Sequence, residues 1–159
     1  MSAPVVQFYS TKDAFGEFSN FAAFPIDIDG RTWPTSEHYF QAQKFTGIER
    51  QEAIRAAVSP MAAAKMGRDR RQPLRRDWEE VKDGVMLKAV RAKFDQYPKL
   101  ASMLLETRNA EIVEHTTNDA YWGDGGNGKG KNRLGQILMQ VRTELAAKVA
   151  IDGDGKSLP

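Results

Sequence analysis

From Leu134 onward, apolar residues return every three or four positions. Leu134, Ile137, Leu138, Val141 and Leu145 fall on one stripe of a helix. The same spacing links Trp78, Val81, Val85, Ala89, Val90 and Phe94, with Asp77 placed to cap that segment. Pro98 opens a further helix through Leu100, Met103 and Leu104. Ser59-Pro60 opens one over SPMAAAKMG, with Gly67 as its expected stop. Toward the N-terminus the period shortens to two. Val5 to Tyr9 is a short β-prone run, and Ile26-Asp-Ile28 and Arg31-Thr-Trp33 alternate around Asp29-Gly30, a strong hairpin signal. Between the hairpin and the long helices lies WPTSEHYFQAQKF, residues 33–45, where Thr35 or Ser36 can cap a helix just after Pro34. The pattern predicts an α+β fold, a single mostly helical domain with a small antiparallel sheet. The domain is expected over 1–148 and a flexible tail over 149–159, where the glycine-containing IDGDGKSLP ends the chain.

Composition narrows the function classes. The 159 residues are 41% hydrophobic and 28% charged, ordinary values for a folded domain. A net charge of +2 is too balanced to argue for DNA binding by bulk electrostatics. The absence of cysteine excludes disulfides, thiol catalysis and thiolate metal sites. Two histidines, His38 and His115, argue against a dedicated zinc centre and leave oxygen-ligated Mg²⁺ open. The start has no basic segment followed by an apolar run, and no stretch nears the ~20 apolar residues of a membrane span. The expectation is a soluble cytoplasmic protein with no membrane partner; nothing in the sequence sets its oligomeric state.

Three stretches carry candidate chemistry. In the first, Glu37, Gln41 and Lys44 stand at i, i+4 and i+7, so they share one helical face. Glu37 and Lys44 are two turns apart, ~10.5 Å along the axis, too far to pair but able to lean into one pocket. An ordinary amphipathic helix explains the same residues, because both charges also complement the helix dipole. The second stretch is YWGDGGNGKGKNRLG, residues 121–135. Its glycines meet G-x-G-x-x-G and part of a P-loop by accident: no βαβ unit follows, and Gly130 stands where a P-loop needs Ser or Thr. What survives is a loop whose amides can face a ligand, running into a helix N-terminus beside Lys129, Lys131 and Arg133. A solvated turn uses the same residues; Tyr121 and Trp122, able to stack on a planar base, favour a ligand site. The third stretch is GRDRRQPLRRDW, with Arg68, Arg70, Arg71, Arg75 and Arg76: either a solvated charge run or a phosphate clamp.

Together these stretches resemble the YbiA-like family, also called NADAR for its association with NAD and ADP-ribose metabolism. The matching pieces are FYS at 8–10, FGEFSNF at 15–21, IDGRTWPTSEHYFQAQKF at 28–45, AKMGRDR at 64–70, DWEEVKDGVMLKAVRAKF at 77–94 and NDAYWGDGGNGKGKNRLG at 118–135. They run in order and cover nearly everything from residue 5 to about 145. The resemblance implies an N-glycosidase acting on ribosylamino-pyrimidine 5′-phosphates, early reactive intermediates of riboflavin biosynthesis, with ribose 5-phosphate as product. Other branches are associated with removing ADP-ribose from nucleobases, so an ADP-ribosyl glycohydrolase acting on ADP-ribosylated nucleic acid is the alternative. A nucleotide-binding sensor without catalysis is the third reading. None of these needs a redox cofactor.

Carried onto this sequence, the resemblance makes Glu37 the first choice for acid/base or water activation, with Asp124 second. Lys44 is expected either to bind phosphate or a sugar hydroxyl, or to attack C1 as an amine and form a Schiff base. Asn20 and Trp33 are expected pocket residues. Arg68 and the loop of Gly123, Gly125, Gly128 and Asn132 are expected around phosphate or ribose, with Tyr121 and Trp122 at the entrance.

Overall fold

The structure is a computed structural model that describes residues 4–157. Strand β1 (Val5–Phe8) pairs in parallel with β4 (Glu111–Glu114), Val5 opposite Glu111 and Phe8 opposite Glu114. A separate antiparallel hairpin joins β2 (Ile26–Ile28) to β3 (Arg31–Trp33). Its turn needs positive φ at two successive positions, and Asp29 (φ 53°) and Gly30 (φ 80°) supply it. The helices are α1 (Ser36–Ala42), α2 (Ile48–Arg55), α3 (Pro60–Arg68), α4 (Trp78–Gln96), α5 (Pro98–Glu106) and α6 (Arg133–Ser157). The fold is α+β, mostly helical. The hairpin is the antiparallel sheet that the alternation predicts; the parallel β1–β4 pair is an addition to it. EIVE is too short and too acidic to announce a strand, and its partner lies at the other end of the chain. Among the described residues, no helix is long and apolar enough to cross a membrane.

Two hydrophobic clusters form the interior. The larger gathers Phe8, Phe18, Phe94, Leu100 and Ile112 with the α6 stripe Leu134, Ile137, Leu138, Val141 and Leu145. The smaller surrounds Trp33 with Ile26, Tyr39, Phe45 and Ile54. Helix α1 lies between them, giving Phe40 to the first cluster and Tyr39 and Ala42 to the second, and all seven of its residues are buried.

Several local expectations change. Gly67 lies inside α3, not beyond it; a Cβ there would collide with the Gln41 side chain, so the glycine is needed where α3 crosses α1. Asp77 occupies the N-cap of α4, but its carboxylate is bound to Arg75 at 2.6 Å and makes no cap bond. Helix α6 runs to Ser157, through most of the stretch expected as a tail. Residues 158 and 159 lie outside the described residues.

The start of α6 is docked tightly on β4. Asn132, in the left-handed region at φ 52°, donates from its amide to Ile112 O (2.9 Å) and accepts from Glu114 N (3.0 Å). A Cβ on Gly135 would stand 2.0 Å from the same Ile112 carbonyl, so only glycine permits the approach. Replacing Gly135 by Ala is expected to destabilise the protein by about 1–3 kcal/mol through overpacking. A thermal melt checks it; an unchanged Tm would mean that α6 does not pack this closely.

Candidate active site

Helix α1 starts cleanly because Thr35, extended at the N-cap, accepts from His38 N at 3.1 Å. His38 is only 1% exposed and is held at both ring nitrogens, by Thr35 Oγ1 (2.8 Å) and Ala57 O (3.0 Å). The Ala57 carbonyl can only accept, so Nε2 carries the proton and Nδ1 accepts from the threonine hydroxyl. Burial lowers its pKa, so this histidine is a neutral structural group.

One turn along, Gln41 Nε2 donates to Glu37 Oε2 at 2.7 Å. Lys44 follows just past the helix end, its Nζ 5.7 Å from the Phe40 ring centroid. All three line one cleft of about 750 Å³, within the usual range of small-ligand sites. Glu37 is 9% exposed, and burial raises its pKa although Gln41, Lys44 and Arg68 all favour the charged form. Burial pushes Lys44 down to about 8, against the pull of Glu37 and with help from Arg70, Arg68 and Lys82. Roughly a tenth of such an amine is unprotonated at pH 7.

Asn20, Arg68 and Trp122 also line the cleft. Asn20 is a clamp as well as a wall. Its Oδ1 accepts from Ser36 Oγ (2.8 Å), its Nδ2 donates to Met86 Sδ (3.2 Å), and its carbonyl accepts from Glu37 N (3.2 Å). The preceding Ser19 carbonyl accepts from Lys93 Nζ at 2.9 Å. Burial pushes that lysine down to about 7. Trp122 packs edge-on against Phe40 at 5.3 Å.

The other expected site residues stand elsewhere. Trp33 is wholly buried in the smaller core cluster, since the hairpin alternation that places Ile26 and Ile28 inward places it inward too. Tyr121 does not line the cleft: its hydroxyl donates to Asp83 (2.7 Å) and its ring carries Lys82 Nζ at 3.9 Å, a cation where a base was expected. Asp124 is also outside the lining. It accepts from His115 Nδ1 (2.7 Å), Thr116 N (3.0 Å) and Gly126 N (2.8 Å), and these bonds outweigh burial and hold its pKa below the usual range.

The glycine loop is likewise turned inward. The amides of Gly125, Gly130, Lys131, Asn132, Arg133 and Leu134 donate to carbonyls of the loop itself, between Asp119 and Asp124. Those donors, including the first amides of α6, are occupied and cannot cradle a phosphate. Gly123 is fitted against Glu114 O and Asp119 O, Gly125 and Gly128 supply positive φ, and Asn132 holds β4. Of the arginine run, Arg71 is paired with Asp69 (2.8 Å) and Arg75 with Asp77, which leaves Arg68 as its contribution to the cleft.

Two acids of the cleft carry no signal in the sequence. Glu114 closes β4, and Asp119 follows in the connection to the loop. Asp119 Oδ1 accepts from Tyr121 N (2.9 Å) and Trp122 N (2.8 Å). Glu114 is pushed up to about 7 by burial and by the negative charges of Asp119, Glu37 and Asp124. Recognising β4 as a strand would have pointed Glu114 at the site; nothing local does.

A family model described as the NADAR domain matches residues 7–146. The chain belongs to the NADAR family. Among its relatives, "N-glycosidase YbiA" of Escherichia coli (strain K12) is 62% identical over 146 residues, covering 92% of this chain and 91% of that protein. "N-glycosidase Npun_R5314" of Nostoc punctiforme is 40% identical and covers 93% and 97%. "Riboflavin biosynthesis protein VVA0006" of Vibrio vulnificus is 44% identical, with 88% of this chain matching 38% of a longer protein. The NMR structure of the E. coli protein YbiA superposes with a TM-score of 0.87 at 61% identity, covering 94% of this chain and 89% of that one. The NADAR cleft described above therefore sits in a fold already seen for a relative.

Glu114 also makes a prediction about stability. Its folded pKa of about 7 lies above the ordinary 4.5, so between those values the folded state holds a proton that the unfolded chain has released. Stability must then fall as pH rises from about 4.5 to about 7, by up to about 3 kcal/mol. Glu114→Gln is expected to flatten that decline in urea unfolding measured at pH 5 and pH 8. An equal decline in both proteins would mean that Glu114 titrates normally.

Proposed function

We propose that the protein is an N-glycosidase that hydrolyses the bond between ribose C1 and nitrogen in ribosylamino-pyrimidine 5′-phosphates, releasing ribose 5-phosphate. The observation that carries this reading is the meeting of a buried carboxylate, Glu37, and a half-buried lysine of pKa about 8, Lys44, in one cleft. The names of the relatives support the reaction class, and the riboflavin-related name among them supports the substrate class. Removing surplus or damaged flavin precursors is the role that fits such a reaction.

The cleft is charged differently along its length. Lys44 feels Arg68, Arg70 and Lys82, whereas Glu114 feels only acids. Glu37 feels both sets. A phosphorylated sugar is oriented by that field, with its phosphate toward Arg68 and its C1–N bond toward the carboxylates. The aromatic edge of Trp122 borders the space for the pyrimidine.

A glycosylamine opens readily: the nitrogen lone pair expels the ring oxygen from C1. Lys44 Nζ in its neutral form adds to C1, and the proton it loses goes to the ring oxygen. Expulsion of the pyrimidine amine, which takes a proton from an acid as it leaves, gives an iminium between Lys44 and C1, and water adds to it, giving a proton to Glu37. Collapse passes the Glu37 proton to Lys44, returns the hydroxyl proton to that acid and frees the sugar aldehyde. The Glu37 carboxylate, kept in place by Gln41, also offsets the positive charge that builds at C1.

Two measurements test this. Given ribosylamino-pyrimidine 5′-phosphate beside ADP-ribosylated DNA, the protein is expected to release ribose 5-phosphate from the first and to leave the second intact. Release of ADP-ribose alone would transfer the reading to the nucleic-acid branch, and release of neither sugar would leave a binding protein. Glu37→Gln is expected to fold normally and to lose about 10²–10⁴-fold in turnover.

Borohydride added during turnover is expected to trap a pentose on Lys44, found by mass spectrometry, and Lys44→Arg to abolish both adduct and activity. An active Lys44→Arg enzyme with no adduct would instead make Lys44 an anion-binding group and leave Glu37 to activate water directly.

A further inference from the structure

Glu114 is an anomaly among the acids of this protein. Acids that hold the fold together have partners: Asp124 accepts three hydrogen bonds, Asp119 two backbone amides, and Glu52 is bound by Arg31 and Arg55. The Glu114 carboxyl has no hydrogen bond and no ion pair among the described residues, although its backbone is held on both sides. It reaches the cleft from the strand side, while Glu37 enters from α1. Glu114 is half-buried and its carboxyl lines the cleft with no partner among the described residues, so it holds no part of the fold and is free to act on what the cleft binds.

The charged groups around it are few. Glu37 faces it from α1, and Asp119, Asp124 and His115 belong to its own connection. Strand β1 brings no ionisable side chain. From α6, Arg133 is drawn to Asp83 at 3.6 Å, and Arg142 donates to Ala110 O at 2.8 Å. No cation among the described residues acts on Glu114 itself, so burial and the neighbouring acids push it up to about 7 and a large share of it carries a proton at neutral pH.

We propose that Glu114 is the acid that protonates the departing pyrimidine nitrogen in the reaction assigned above, an inference that rests on that reading of the cleft. As the C1–N bond breaks, its electron pair stays on nitrogen and the Glu114 proton joins it, so a neutral amine leaves and the Lys44 imine remains. Water then adds at C1, with its first proton taken by Glu37. When the carbonyl forms and Lys44 departs with the Glu37 proton, the hydroxyl proton on C1 returns to Glu114 directly or through solvent. The cycle closes with every group in its starting state. Two carboxylates thus divide the work: Glu37 handles water and Glu114 the leaving group.

The division has a kinetic consequence. Activity requires Lys44 without its proton and Glu114 with one, so wild-type kcat/KM against pH is expected to be a narrow bell whose limbs lie near pH 7 and pH 8. Glu114→Gln is expected to lower activity at neutral pH by about 10²–10⁴-fold and to abolish the alkaline fall, leaving a profile that only rises. Glu114→Asp, which keeps an acid, is expected to retain the alkaline fall at a reduced rate. A residue with a merely structural role would lower the rate without changing the shape of the profile. A folded Glu114→Gln enzyme that keeps the alkaline fall would overturn the assignment while leaving the N-glycosidase reading intact. A wild-type protein that releases no ribose 5-phosphate would overturn that reading first, and this assignment with it.

Discussion

Helix α1 is seven residues long, every one of them is buried, and four of them are polar or charged, at Ser36, Glu37, His38 and Gln41. A short helix cannot hold itself together, and burying so many polar groups without partners would outweigh any packing gain. Partners must therefore come from the rest of the chain. Asn20 receives Ser36, the Ala57 carbonyl receives His38, Thr35 caps the first turn and Gln41 serves Glu37. The surrounding elements are placed by these demands. Lys93, buried on α4, reaches Ser19 O and fixes the segment that carries Asn20. Gly67 has no side chain because Gln41 occupies that space. Disturbing the His38 or Thr35 contacts disturbs Glu37 from outside the cleft, whereas Asn20 and Gln41 are part of its wall as well.

How much of this was legible depends on the range of each interaction. The cap at Thr35, the Asp29-Gly30 turn and the apolar stripe of α6 are local features, and local pattern reads them correctly. The common face of Glu37, Gln41 and Lys44 follows from helical spacing and does meet one cleft. Glu114 depends on a strand of four residues whose partner is β1, and that parallel pairing leaves no mark on either segment. Trp33 was within reach: the alternation that predicts the hairpin also points it at the core, whereas the resemblance had suggested a pocket residue.

The glycine loop shows why composition misleads about anion sites. Glycine permits a backbone to turn its amides toward a ligand, but it equally permits them to turn inward. Which occurs depends on the acceptors nearby, and here the chain supplies its own: the carbonyls of Ala120, Tyr121, Trp122 and Gly123 and the carboxylate of Asp124. The resemblance makes Asp124 the second choice for acid/base work. Its three hydrogen bonds make it instead the group around which the loop closes, and that loop holds Trp122 at the cleft.

The same contrast separates structure from chemistry among the acids in and around the cleft. A carboxylate with several donors is stabilised as an anion and holds its proton weakly; one with few or none keeps its proton near neutrality. Asp124 is of the first kind, Glu114 of the second, and Glu37 lies between them with one amide donor and cations within electrostatic reach. Acids of similar intrinsic strength are thereby moved in different directions, Asp124 down and Glu37 and Glu114 up. Burial drives the two upward shifts, and hydrogen-bond count and neighbouring charge decide how far each acid follows it. Reactions that need a base beside a charge-stabilising carboxylate and an acid beside a leaving group require such a spread. The fold produces it by bringing one polar helix and the end of one short parallel strand pair to the same cleft.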